Sequence, residues 1–149
     1  MSLHLIKLCV GVDDIRHLAR IQAERLAEAR RRGDTPELRH VTRNTPRRAA
    51  EILNGGSLYW VIKGFIRVRQ PVIDIRSVER EDGQPACALV LDPVLTRTEI
   101  RSFRRFQGWR YLAAEDAPRD APPGSPNSAG SDEDVPAEMA AELRGLGLL

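Results

Sequence analysis

Lysine is almost missing from this sequence. Only Lys7 and Lys63 carry an ammonium group among 23 basic residues, and the rest are arginine. Positive charge therefore rests on planar guanidinium groups, which grip phosphate in a bidentate way and stack on rings. The same bias is what a GC-rich genome produces with no selection for binding. Cysteine is nearly as scarce. Cys9 and Cys87 lie far apart in apolar, strand-like runs and form no CxxC pair, which excludes a disulfide framework and predicts free thiols in a reducing compartment. The apolar start "MSLHLIKLCVGV" lacks a leading basic region and a cleavage site and is too short for a membrane span. A cytoplasmic protein without membrane contact is expected.

Catalytic signatures are missing too. His4, His17 and His40 are 13 and 23 positions apart, with no HExxH and no short spacing to a cysteine or carboxylate, so no metal site is expected. Only a cross-strand meeting of His4 with His40 would revive one. Ser57 follows a double glycine without a GxSxG elbow, and Cys9 sits where a thiolate is disfavoured. "NGGS" is no phosphate loop, because its glycines end a helix rather than lead into one. No cofactor signature occurs. Asp74 and Asp92, at or within strands, would make an enzyme only in combination with His40.

What the chain does have is a charge split. Residues 1–112 hold 21 Lys+Arg against 13 Asp+Glu, a net +8, and residues 113–149 hold 2 against 8, a net −6. A basic body of this kind attracts polyanions. The acidic segment, "AAEDAPRDAPPGSPNSAGSDEDVPAE", is rich in Pro, Ser and Gly and poor in large apolar residues. It cannot offset its ordering entropy and is expected to be disordered, with a short helix in "PAEMAAELRGLGLL". The organisation expected is one domain over residues 1–112 and a tail over 113–149.

Within the body, a strand over residues 3–10 leads through "GVDD" to a helix capped by Asp13 or Asp14 and running to about Arg32. Its stripe of Ile15, Leu18, Ala19, Leu26 and Ala29 is interrupted by the polar Gln22. "ELRHVTR" reads as a strand. "NTPRRAAEILNGG" reads as a short helix with Thr45 as N-cap, Pro46 at its first position and Gly55 or Gly56 at its end. After Pro71, "VIDIRSVER" and "PACALVLDP" form strands around the turn signal "EDGQ", and "TEIRSF" and "FQGWRYL" add one or two more. Six or seven strands with two helices, not alternating as βαβ, predict an α+β fold: a strongly curved mixed sheet or small pseudo-barrel with two flanking helices.

The stretch "GGSLYWVIKGFIRVRQPVIDIR" stands out. Read as one strand with period two, it puts Trp60, Ile62, Gly64, Ile66 and Val68 on a core face, with Gly64 at a bulge or close approach. Opposite them stands a ribbon of Tyr59, Val61, Lys63, Phe65, Arg67 and Arg69. A second basic and aromatic group comprises Arg97, Arg101, Phe103, Arg104, Arg105, Phe106, Trp109 and Arg110. Single-strand binders combine such parts, a ring stacking on a base and a cation holding phosphate. The plain alternative is that the rings, Trp60 and Phe106 above all, are core and the arginines a solvated sheet edge.

Three blocks, "LHLIKLCVGV", "GGSLYWVIKGFIRVRQ" and "LVLDPVLTRTEIRSFRRFQGWRYL", resemble a bacterial family known only as domain-of-unknown-function family 1489. The resemblance covers most of residues 1–112, leaves the acidic tail outside, and implies no activity. The helix ending in "ILNGG", followed by an aromatic and basic strand, is similar in architecture to the PUA-like superfamily with its ASCH and EVE branches. That resemblance implies a pseudo-barrel binding RNA or a modified base in a cleft near Thr42, Arg43, Ser57, Tyr59 and Lys63. The function expected is an RNA- or nucleic-acid-binding module. Tyr59, Phe65 or Trp109 would stack a base, and Lys63, Arg67, Arg69, Arg97, Arg101, Arg104 and Arg105 would supply the cations. The alternatives are a small enzyme acting on a nucleotide or other phosphorylated ligand, and a protein-interaction domain.

Overall fold

The computed structural model of the protein describes residues 3–104 and 106–122. Along these residues run β1 (Leu3–Leu8), α1 (Ile15–Arg31), β2 (Leu38–Thr42), α2 (Ala49–Leu53), β3 (Ser57–Ile62), β4 (Phe65–Glu79), β5 (Pro85–Leu91), β6 (Thr96–Ser102), β7 (Trp109–Ala113) and a 3-10 turn, Ala114–Asp116. The seven strands form one mixed, unclosed sheet in the order β2-β5-β4-β3-β1-β7, with β6 also paired to β4. β1 is parallel to β3, and the other pairings are antiparallel. The expected α+β fold with a curved mixed sheet and two helices is what forms.

Local chemistry sets most boundaries. Asp14 caps α1 by accepting from the His17 N–H at 2.7 Å, and Arg30 and Arg31 close its last turn against the helix dipole. The α2 helix is shorter than "NTPRRAAEILNGG" predicts. Its N-cap is Arg48, so Thr45 and Pro46 belong to the preceding loop, and the Pro46 ring is buried there. Pro71 does not interrupt the sheet. It lies inside β4, where it donates nothing but its carbonyl accepts the Asp92 N–H at 2.9 Å.

The largest departure from the sequence reading is in "LYWVIKGFIRVR". Lys63 (φ 50°) and Gly64 (φ 86°) form a two-residue turn with both φ positive, so the stretch is the hairpin β3–β4 rather than one strand. Register shifts at Trp60/Val61 against β4 and at Ile66/Val68 against β6 then reverse the alternation. Ile66, expected beside Trp60 and Val68, joins Tyr59 and Val61 on the opposite face.

Both faces of the hairpin are therefore packed. On the inner face Leu5, Leu58, Trp60, Ile62, Val68 and Val72 meet Ile15 and Leu18 of α1, Leu38 of β2 and Leu89 and Leu91 of β5. On the outer face Ile6, Tyr59, Val61, Ile66 and Leu112 are covered by Phe106 and Phe103 from the β6–β7 loop. The described chain continues past 112, a position inside β7. Glu99 N–H and Ala121 N–H exchange bonds with the carbonyls of Arg119 and Arg97, laying residues 119–121 along β6, and Asp120 grips Arg69 at 2.8 and 2.9 Å. The disorder expected from residue 113 is therefore corrected for residues 113–122, which end β7, form the 3-10 turn and run along β6; the rest of that expectation, with the terminal helix, falls on residues 123–149, outside the described residues.

At the centre of the inner face Gln70 is fully buried. Its Oε1 accepts from Gln22 Nε2 (2.8 Å) and Trp60 Nε1 (2.9 Å), while its Nε2 donates to Gln22 Oε1 and the Asp92 carbonyl, both at 2.9 Å. This explains the polar residue on the apolar stripe of α1. Gln70→Leu should orphan several buried groups and cost on the order of 3 kcal/mol. Gln22→Leu with Gln70→Leu should cost less than the two single changes together, as urea unfolding would measure. Gly56 is constrained by space, since a Cβ there would lie 2.2 Å from the Leu3 carbonyl oxygen and 2.5 Å from that of Ile52. Gly56→Ala should lower the urea midpoint by the equivalent of about 1–3 kcal/mol, and an unchanged midpoint would contradict this close approach of α2 and β1.

Candidate functional site

The two end strands, β2 and β7, face each other across a seam that side chains bridge. Trp109 Nε1 donates to the Asn44 carbonyl at 3.0 Å, and Tyr111 Oη accepts from the Arg48 N–H at 3.1 Å. The two rings stand edge to face, 5.0 Å between centroids, and the Arg48 guanidinium lies 5.7 Å over Tyr111. Thr42 Oγ1 also donates to the Asn44 carbonyl, at 3.1 Å, which shapes the loop after β2.

This arrangement leaves a cleft of about 530 Å³ lined by Lys7, Thr42, Arg43, Arg47, Trp109 and Tyr111 together with Val41, Asn44, Thr45, Gln107 and Gly108. No carboxylate lines it. Lys7, Arg43 and Arg47 have no ion-pair partner among the described residues. A larger groove of about 970 Å³ beside the end of α1 is different in kind: Arg25, Arg31, Arg32 and Arg39 share it with Glu24, Glu28, Asp34 and Glu37. Its charges are balanced and largely paired with one another.

Of the residues singled out from sequence, Thr42, Arg43 and Trp109 meet in this cleft. Ser57, Tyr59 and Lys63 do not. Ser57 is buried on β3, its N–H donating to His4 Nδ1 (3.0 Å) and its Oγ accepting from Arg69 (2.9 Å). Lys63 sits at the hairpin turn, 3.3 Å from Asp13. The ribbon expected along β3 and β4 is not a solvent face. Tyr59, 4% exposed, is part of the outer apolar cluster, Arg67, at the register shift of β4, is 0% exposed, and Arg69 is bound to Asp120 and Ser57. Phe65 is half-buried at the start of β4. Arg97 is half-buried on β6, Arg101 reaches the Asp116 carbonyl, and Arg104 is exposed in the β6–β7 loop. Arg105 lies outside the described residues.

Lys7, Arg47 and Tyr111 were missed, and each had a weak signal. Lys7 interrupts the apolar alternation of β1, Tyr111 follows Trp109 at period two, and Arg47 sits in the loop that the sequence reading placed inside a helix. Among the described residues no group of three His, Cys, Asp or Glu is placed to hold a metal ion. His4 packs on Tyr59 and His40 on Trp60, residues on opposite faces of β3, so the two imidazoles do not meet. Asp74 binds Arg76, and Asp92 accepts from the Val94 N–H, so neither joins His40. Burial pushes the Cys9 thiol up to about 12, which makes it a poor nucleophile. No described helix is long and apolar enough to cross a membrane.

His40 is held neutral. Burial first, then the charges of Lys7 and Arg25, push its pKa from an ordinary 6.5 down to about 4. Between those values the unfolded chain binds a proton that the folded chain refuses, so stability falls as pH drops through this window. Unfolding measured from pH 7 to 4.5 should therefore show a flatter pH dependence for His40→Gln than for the unchanged protein. Parallel curves would show that the imidazole is not desolvated.

The comparisons with known proteins agree with the sequence blocks and extend them. The family model described as "Protein of unknown function (DUF1489)" matches residues 5–149, so the acidic segment, expected to lie outside, is inside the match. No curated protein and no solved structure matches. On this match the chain belongs to the DUF1489 family.

Proposed function

We propose that the protein is a nucleic-acid-binding module, with RNA as its polymer, and that the seam between β2 and β7 is its contact site. The observation that carries this reading is the composition of the cleft: three cations, no carboxylate and two rings. Phosphates would lie against Lys7, Arg43 and Arg47, and the half-buried Trp109 offers a surface for one base. Arg guanidinium groups suit phosphate because their donors are fixed in a fork. A ring beside them contributes about 1–3 kcal/mol per stacked base. The proposal moves the contact from the β3–β4 ribbon to the seam. It takes the protein as cytoplasmic, in keeping with Cys9 and Cys87 as free thiols. Resemblance to the PUA-like superfamily supports it as an analogy of fold.

Titration of the full chain with labelled single-stranded RNA over a range of salt tests the reading. Arg43→Ala with Arg47→Ala should weaken binding and make the slope of log K against log salt shallower by about 1.4, two phosphate contacts at roughly 0.7 each. Trp109→Ala should cost about 1–3 kcal/mol with little change in slope. If Arg101→Ala with Arg104→Ala weakens binding and the cleft variants do not, the contact lies on the outer face and the seam is wrong.

A further inference from the structure

A second cavity lies between α1 and the inner face of the sheet, about 170 Å³ in volume. Its walls are apolar where α1 meets the strands, from Val12, Leu18, Ile21, Leu38 and Leu91, with the Trp60 indole beside them. Its polar groups are Lys7, Gln22, Arg25, Arg39 and His40, and again no carboxylate lines it. Gln22 bonds reciprocally with Gln70, and Arg39 is paired with Glu37 at 3.1 Å. Lys7 and Arg25 have no ion-pair partner among the described residues. His40 packs edge to face on Trp60 at 5.0 Å, and its buried Nε2 makes no hydrogen bond.

Each of these features restricts the occupant. The volume admits one ring, since a dry cavity of about 150 Å³ holds benzene. Apolar walls and an indole favour a flat, apolar body. A buried ring nitrogen without a partner is costly and is relieved by one hydrogen bond from a ligand. Two cations without a counter-charge at the same cavity call for an anion.

We propose that this cavity binds a small single-ring organic anion, an aromatic or heteroaromatic carboxylate, with its ring against Trp60 and its carboxylate toward Lys7 and Arg25. His40 Nε2 takes or gives the one hydrogen bond that orients the ring. The site is separate from the RNA proposal and does not depend on it, although Lys7 lines both cavities.

The test uses the full chain carrying Trp109→Phe, which leaves Trp60 as the only tryptophan and the wall of this cavity as the fluorophore. The probes are benzoate, nicotinate and orotate, with benzamide and nicotinamide as neutral counterparts. At least one carboxylate should change Trp60 emission saturably, at least tenfold more tightly than its amide. Arg25→Ala, an exposed change that leaves the core intact, should erase most of that preference, and His40→Phe, filling the cavity, should abolish the response. No saturable change with any carboxylate overturns the proposal, and so does equal binding of acids and amides. Should His40→Phe fail to fold, the Arg25→Ala result alone decides: an unchanged acid preference refutes the assigned anion site. Absence of RNA binding by the chain with Trp109 in place, with carboxylate binding intact in the Trp109→Phe chain, would refute the seam reading and leave this one standing.

Discussion

Everything in the inner face hangs on one side-chain amide. Gln70 has no contact with water, so each of its hydrogen-bonding positions must be met inside the protein or paid for in stability. Two bonds to its oxygen and two from its nitrogen meet them, and they come from α1, β3 and the bend between β5 and β6. An apolar residue would tolerate sliding of α1 over the strands; the reciprocal Gln22–Gln70 pair allows one placement. A buried polar network that is fully satisfied fixes relative geometry more sharply than apolar packing alone.

That fixed point has consequences at the edge of the sheet. With α1 anchored on β4, and β5 followed by β6 along the same strand, the register shifts in β3 and β4 add twist where the sheet must curl. The curl brings β7 to the loop after β2 without joining them by a ladder. Backbone groups in a loop need partners, and here Trp109 and the Tyr111 hydroxyl supply them for the Asn44 carbonyl and the Arg48 N–H. The seam is thus a closure made by side chains, and a closure of that kind leaves space where a strand pair would leave none.

How much of this was legible follows from the range of the signals. The turn at Gly83 and the apolar run of β5 are written in neighbouring residues, as is the α1 cap, which the sequence narrowed to Asp13 or Asp14 and the structure places at Asp14. Gln22 was visible as a break in the α1 stripe, but its partner is 48 positions away and no local pattern names it. The β3–β4 stretch misled for a specific reason. "KG" is a weaker turn signal than Asn-Gly, because Lys63 must take a positive φ that lysine seldom adopts. Continuing the alternation through it assigned Tyr59 and Arg67 to solvent, whereas Tyr59 packs in the outer cluster with Phe106 and Leu112, and Arg67 is fully buried at the register shift. The covering rings, Phe103 and Phe106, lie 37 to 47 positions beyond Tyr59, Val61 and Ile66, out of reach of any periodicity argument.

The arginine excess then divides into two kinds that composition alone could not separate. Arg31, Arg48, Arg69 and Arg76 each hold a carboxylate, Glu28, Glu51, Asp120, and Glu37 with Asp74. Their partners' pKa values are lowered by those guanidinium hydrogen bonds, and such pairs satisfy one another whatever the genome's codon bias supplied. Arg43 and Arg47 stand instead on a loop pinned by Trp109 and Tyr111, facing a cavity shared with Lys7, one of only two lysines. Codon bias would account for a cation here being arginine. It does not explain why the loop is anchored at both rings, nor why the acids that pair arginines elsewhere on the surface are missing from the lining of this cleft. Placement, rather than abundance, is what marks these few charges as the candidate site.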